Sequence, residues 1–140
     1  MIQRKNINRG YQKLMVWQDA ADLYVLTCKI FRKFHYELRR VASNQIASVD
    51  SVHRNIAEGY CRRSLREYLQ FLNFSLGSMG ESVSGLIAYG KAQQITEAEF
   101  KTLNDLAFKI ENGLLKLVEN LERKSPNYPR FLRPECRPYP

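Results

Sequence analysis

The chain has 140 residues, with 22 Lys and Arg against 14 Asp and Glu, a formal net charge of +8 and 44% hydrophobic residues. That length suits one hydrophobic core rather than two, and no apolar run reaches the roughly 18 to 20 residues of a membrane span. The composition excludes a membrane-spanning chain and points to a single cytoplasmic domain whose excess positive charge suits a polyanion.

Residues 1–13 form a basic arm with Arg4, Lys5, Arg9 and Lys13 and no acid. The arm has charges but lacks the apolar centre of a signal peptide. All five prolines, Pro126, Pro129, Pro134, Pro138 and Pro140, fall in the last segment, so residues 14–124 hold no backbone obstacle to helices. The spacing predicts a first helix over 16–34, with Trp17, Ala21, Tyr24, Cys28, Phe31 and Phe34 on or near its inner face.

A second helix is expected over 37–58, because Leu38, Val41, Ala42, Ile46, Val49, Val52 and Ile56 share one arc at about 100° per residue. Gly59 is the expected left-handed residue that closes it. A short basic connection follows, with Tyr60, Cys61, Arg62 and Arg63. Ser64 and Glu67 then read as a capping box, in which the serine oxygen accepts from the Glu67 amide and Glu67 reaches back. Arg66 falls in the first turn beyond, where a cation opposes the helix dipole.

The third helix is expected to turn Leu65, Leu69, Leu72, Leu76, Met79, Val83, Ile87 and Gly90 inward. Gly77, Gly80, Gly85 and Gly90 each cost about 1 kcal/mol relative to alanine in a helix interior, so close approach to another backbone must offset them. That backbone belongs either to the same bundle or to a second subunit. Gly77, Gly80, Ser84 and Gly85 are therefore the candidate oligomer interface. Thr96 and Glu99 form another capping box, which opens a fourth helix with Phe100, Leu103, Ala107, Ile110, Leu114, Leu117 and Leu121 inward. Short connections make neighbours antiparallel, so the fold class is all-α, an up-down-up-down four-helix bundle. Residues 125–140 complete the chain as a Pro-rich tail in which Tyr128, Phe131 and Tyr139 alternate with Arg130, Arg133 and Arg137. Such a tail is expected to be flexible alone, which leaves ordering on a partner open.

The candidate binding residues are cationic. Arg39, Arg40 and Arg54 lie away from the apolar face of the second helix, Arg62, Arg63 and Arg66 continue beyond it, and Arg4, Lys5 and Arg9 add the arm. Guanidinium groups bind two phosphate oxygens at once, which suits a nucleic-acid backbone. Arg54 has a competing use, since it stands four residues from both Asp50 and Glu58.

No enzymatic pattern is present. With two histidines and no Gly-rich phosphate loop, nucleophile elbow or paired metal motif, neither a cofactor nor a metal is expected. The nearest approach to a metal pair is Asp50 with His53, and a di-iron bundle would need two Glu-x-x-His pairs. Cys28, Cys61 and Cys136 have neither disulfide-scaffold nor zinc spacing and read as reduced thiols.

Four short strings in order, VWQDA at 16–20, NIAEG at 55–59, RRS at 62–64 and FLNFSLGSMGE at 71–81, carry a resemblance that covers about residues 11–122. The chain resembles the bacterial four-helix-bundle family encoded in intervening sequences of large-subunit ribosomal RNA genes. That family includes the accessory variability determinant of diversity-generating retroelements. The resemblance implies a ring of five identical bundles with a basic surface and, for the retroelement branch, nucleic acid and a reverse transcriptase as partners.

The expected function is that of a non-catalytic accessory protein that binds RNA or DNA through phosphates, with weak sequence readout because no base-reading motif is present. The alternative is a protein-interaction module of the intervening-sequence type, without nucleic-acid binding of its own, whose arginines meet an acidic partner.

Overall fold

The structure is a computed structural model that describes residues 7–124. Four α-helices occur among the described residues: α1 (Met15–Phe31), α2 (Arg39–Tyr60), α3 (Leu65–Lys91) and α4 (Glu97–Arg123). A 3-10 helix (Ile7–Lys13) precedes them, and another (Tyr36–Leu38) leads into α2. Successive helices run antiparallel, as the short connections require, and no strand occurs among the described residues.

The core lies on the shared axis of the four helices. Leu23, Val52, Ile56, Leu72, Met79, Leu103, Ile110 and Leu114 are all fully buried there. The inward stripes expected on α2 and α4 are the observed ones at Ala42, Val49, Val52 and Ile56 and at Leu103, Ala107, Ile110 and Leu114.

The other two stripes are rotated. On α1 the core residues are Ala20, Leu23, Thr27, Ile30 and Phe31, whereas Trp17, Ala21, Tyr24 and Cys28 are half-buried on its flank. Small Ala20 and Thr27 fit the crowded axis, while Trp17 and Tyr24 meet the His53 ring at centroid distances of 6.4 and 5.8 Å. On α3, Leu86 rather than Ile87 enters the core, together with Ser75 and Ser82. Polar contacts to α2 cause this: Ser75 Oγ donates to the Val52 oxygen at 2.9 Å, and Gln45 Nε2 donates to the Ser82 oxygen at 2.9 Å. A buried polar atom must find a partner, and these pairs fix how α3 is turned against α2.

Helix ends also depart from expectation. Helix α1 stops at Phe31 because Phe34 folds back, its amide donating to the Phe31 oxygen at 3.1 Å and its ring stacking on Phe31 at 4.4 Å. His35 Nδ1 then accepts from the Glu37 amide at 3.2 Å, so residues 36–38 form a 3-10 turn and α2 begins at Arg39. Gly59 lies inside α2 without a positive φ. Its value is proximity, since a Cβ there would stand 2.8 Å from the Phe71 Cβ and 3.1 Å from the Tyr68 carbonyl oxygen. Left-handed closure occurs instead at Gln93, with φ 58°, after α3. There the Gln93 amide donates to the Gly90 oxygen and the Gln94 amide to the Tyr89 oxygen, a Schellman-type end.

The two expected caps differ. Thr96 and Glu99 make the complete reciprocal box. Ser64 accepts from the Glu67 amide at 3.2 Å, but the Glu67 carboxylate receives the Ser64 hydroxyl at 3.1 Å rather than its amide.

Candidate nucleic-acid interface

Helix α2 carries candidate cations at both ends. Arg39 and Arg40 open it with no acid in the first turn and no side-chain cap. Cations there add to the positive end of the helix dipole instead of offsetting it, and the same holds for Arg66 in the first turn of α3. A helix start with uncompensated arginines attracts anions twice over, through the dipole and through the guanidinium. About 20 residues at 1.5 Å each separate Arg40 from the α2 C-terminus, so the two clusters stand about 30 Å apart. The candidates therefore form two basic ends rather than one continuous stripe.

Local ion pairs divide the candidates further. Arg54 Nε donates to Asp50 at 2.6 Å, and Arg62 reaches Glu58 at 2.8 Å and Glu67 at 4.0 Å. Arg62 also lies over the Phe71 ring, 4.9 Å from its centre. By contrast Arg39, Arg40, Arg63 and Arg66 are exposed and make no ion pair among the described residues. Arg39 instead donates to the Tyr36 oxygen at 3.3 Å and stacks its guanidinium 4.1 Å from the Tyr36 ring centre.

Asp50 anchors a small charged network. Burial alone would push its carboxyl upward, but hydrogen bonds from His53 at 2.8 Å and from Arg54 outweigh it and hold the pKa below the ordinary carboxylate value. At the opposite end, burial and the nearby Tyr60 push the Tyr68 hydroxyl up to about 12.

The N-terminal arm joins one cluster. Tyr11 packs on Trp17 at 5.3 Å and edge-on to Tyr60 at 6.2 Å, which places the 3-10 helix carrying Arg9 and Lys13 beside the C-terminus of α2. Arg9 thus falls at the same end as Arg62, Arg63 and Arg66. Arg4, Lys5 and the 125–140 tail lie outside the described residues. At the other end Arg32 and Tyr36, which are not among the candidates from sequence, line one groove with Arg39 because the chain turns back after α1. Their signal was the run of cations from Lys29 to Arg40, interrupted by a single acid, Glu37.

The family model of the 23S rRNA-intervening sequence protein matches residues 12–116, three quarters of the chain. The chain belongs to that family. A crystal structure of a protein of unknown function from the S23 ribosomal protein family of Bacteroides thetaiotaomicron is similar in fold, with a TM-score of 0.70 at 18% identity, covering 74% of this chain and 95% of that one. No curated protein matches the chain. Membership in the 23S rRNA-intervening sequence family agrees with the four-helix architecture, and neither finding points to a catalytic family. Among the described residues of this intervening-sequence protein, no three His, Cys, Asp or Glu side chains converge as a metal site, and no helix is long and apolar enough to cross a membrane.

The candidate oligomer residues also divide. Gly85 serves the bundle itself, facing Gln45 across the α2–α3 seam with the Tyr89 ring of its own helix alongside. Gly77 and Gly80 have nothing within 4 Å of a built Cβ, and Ser84 is exposed. By helical spacing, Gly80 and Ile87 on α3 share the outer α3–α4 surface with Phe108 and Leu115 on α4; Phe108 is 61% exposed.

Proposed function

We propose that this protein is a non-catalytic accessory factor that binds RNA or DNA through phosphate contacts made by the two basic ends of its bundle. The observation that carries the reading is the set of four exposed guanidiniums, Arg39, Arg40, Arg63 and Arg66, with no carboxylate of the described residues spent on them. Two of the three first-turn positions among them oppose the helix dipole at Arg39 and Arg40 and the third at Arg66, a cost that a bound polyanion would convert into a gain. Arg54 and Arg62 are secondary, because a phosphate must compete with Asp50 and Glu58 for them.

Self-association is part of the proposal. Exposed Ile87, Phe108 and Leu115 beside Gly77 and Gly80 support a contact between copies on the outer α3–α4 surface, since a second backbone could approach there closely. The resemblance implies five copies in a ring, which would align five sets of basic ends. The same resemblance supplies the proposed protein partner, the reverse transcriptase of a diversity-generating retroelement.

Fluorescence anisotropy with a generic labelled RNA tests the central claim. Binding should weaken steeply with salt, and Arg39→Ala, Arg40→Ala, Arg63→Ala and Arg66→Ala together should abolish it while the helical circular dichroism is retained. An RNA affinity that stays flat with salt would refute phosphate binding. Binding of purified reverse transcriptase without any RNA binding would favour the protein-interaction module. Light scattering at about five times the 16.4 kDa chain mass is the outcome expected of the ring.

A further inference from the structure

The groove between α1 and α2 combines a ring platform with cations. Its volume is about 610 Å³, within the range of about 300–1,000 Å³ typical of small-ligand sites, and Tyr24, Phe31, Phe34 and Tyr36 line it with Arg32 and Arg39. The platform is Tyr36. It is 72% exposed, yet the Arg39 guanidinium covers one ring face at 4.1 Å and Arg39 Nη1 also holds the Tyr36 oxygen. An exposed ring fixed in this way loses little freedom when something flat settles against it.

The charge around the groove selects an anion. Arg32 makes no ion pair among the described residues, nor does Arg40 in the adjoining hollow, which it shares with Arg39, Ser43 and Asn44. Two acids lie nearby. Asp50 is engaged by His53 and Arg54, which leaves Glu37 against three arginines.

From these contacts we infer that the groove takes an unpaired base of a single-stranded nucleic acid, stacked on Tyr36, with the flanking phosphates on Arg32, Arg39 and Arg40. This rests on the nucleic-acid reading above and adds to it the strandedness of the ligand. Bases in a duplex are already stacked and paired, so they cannot offer a free face to Tyr36, whereas a single strand can splay one out. Stacking is tolerant of sequence, because every base has a π-face. The site would therefore prefer single strands without reading a sequence.

The test compares a labelled twelve-nucleotide oligo(dT) with a duplex of the same length, using the full chain. The parent protein should bind the single strand more tightly. Tyr36→Ala should weaken single-strand binding about tenfold, weaken duplex binding far less and keep the circular dichroism, while Tyr36→Phe should bind as the parent does. A 2-aminopurine placed in the single strand should lose fluorescence on the parent protein and keep it on Tyr36→Ala. Equal affinity for the two nucleic acids, or no effect of Tyr36→Ala, overturns the inference and leaves phosphate binding standing. A polyglutamate peptide that displaces the single strand at equal concentration also overturns it, because the groove would then read charge alone. Failure of the parent protein to bind either nucleic acid removes both readings.

Discussion

Gln45 reaches from α2 to donate to the Ser82 oxygen at 2.9 Å, and its own amide oxygen occupies the space that a Cβ on Gly85 would need. One residue thus satisfies a buried polar group and dictates a glycine on the facing helix. Gly85→Ala should lower stability by about 1–2 kcal/mol, because the methyl displaces a buried, hydrogen-bonded amide despite the better helix propensity. In a Gln45→Ala background the same change should become neutral or stabilising. Urea unfolding of the four proteins in this cycle checks the coupling.

The exposed glycines should respond in the opposite direction. With nothing within 4 Å of a Cβ, Gly77→Ala and Gly80→Ala should each stabilise the isolated bundle by up to about 1 kcal/mol. A bulky Gly80→Gln should instead weaken self-association, read as a fall in mass by light scattering. An unchanged mass would remove the α3–α4 surface from the proposed ring.

Paired and unpaired arginines should differ in their contribution to binding. Arg40→Ala or Arg63→Ala should weaken RNA affinity and lower the salt slope by about one each. Arg54→Ala should do less, since that guanidinium is committed to Asp50, and it should cost at most about 1 kcal/mol of stability as an exposed pair. Anisotropy titrations across a salt series separate these cases.

Stability should fall at both extremes of pH for identifiable reasons. The Asp50 carboxyl is held below its ordinary value, so its contribution is present at neutral pH and is lost as acid protonates it. Asp50→Asn should flatten that acid limb. The Tyr68 hydroxyl is raised to about 12, so the folded state keeps a proton that the unfolded chain releases near 10, and stability declines between those values. Tyr68→Phe should reduce the alkaline decline in thermal scans.

Gln93 carries the left-handed turn that ends α3, with φ 58°. A side chain in that region is strained relative to glycine, so Gln93→Gly should raise stability by about 0.5–1 kcal/mol. Gly59→Ala should do the reverse and cost about 1–3 kcal/mol, because the Phe71 Cβ and the Tyr68 carbonyl oxygen cannot move aside cheaply. Thermal unfolding of both variants tests the exchange of roles between these two positions.

The amino-acid order alone determined the four helices, the apolar stripes of α2 and α4 and the Thr96 and Ser64 starts, because periodicity and local side-chain-to-amide bonds act within a few residues. It also determined the excess of positive charge. Tertiary packing decided which way α1 and α3 are turned, since Ser75, Ser82 and Gln45 look like ordinary surface residues until α2 and α3 meet and leave them no water. It decided as well that Gly59 is kept for its smallness and that Gln93 takes the left-handed turn. The candidate site was divided between the two levels: composition named the arginines and four-residue helical spacing already set Arg54 against Asp50, but only the fold drew Arg9 to the far end of α2 and stacked Arg39 on Tyr36. Those outcomes depend on distances between segments far apart in sequence or on turns that bend the chain back, and helical periodicity contains neither.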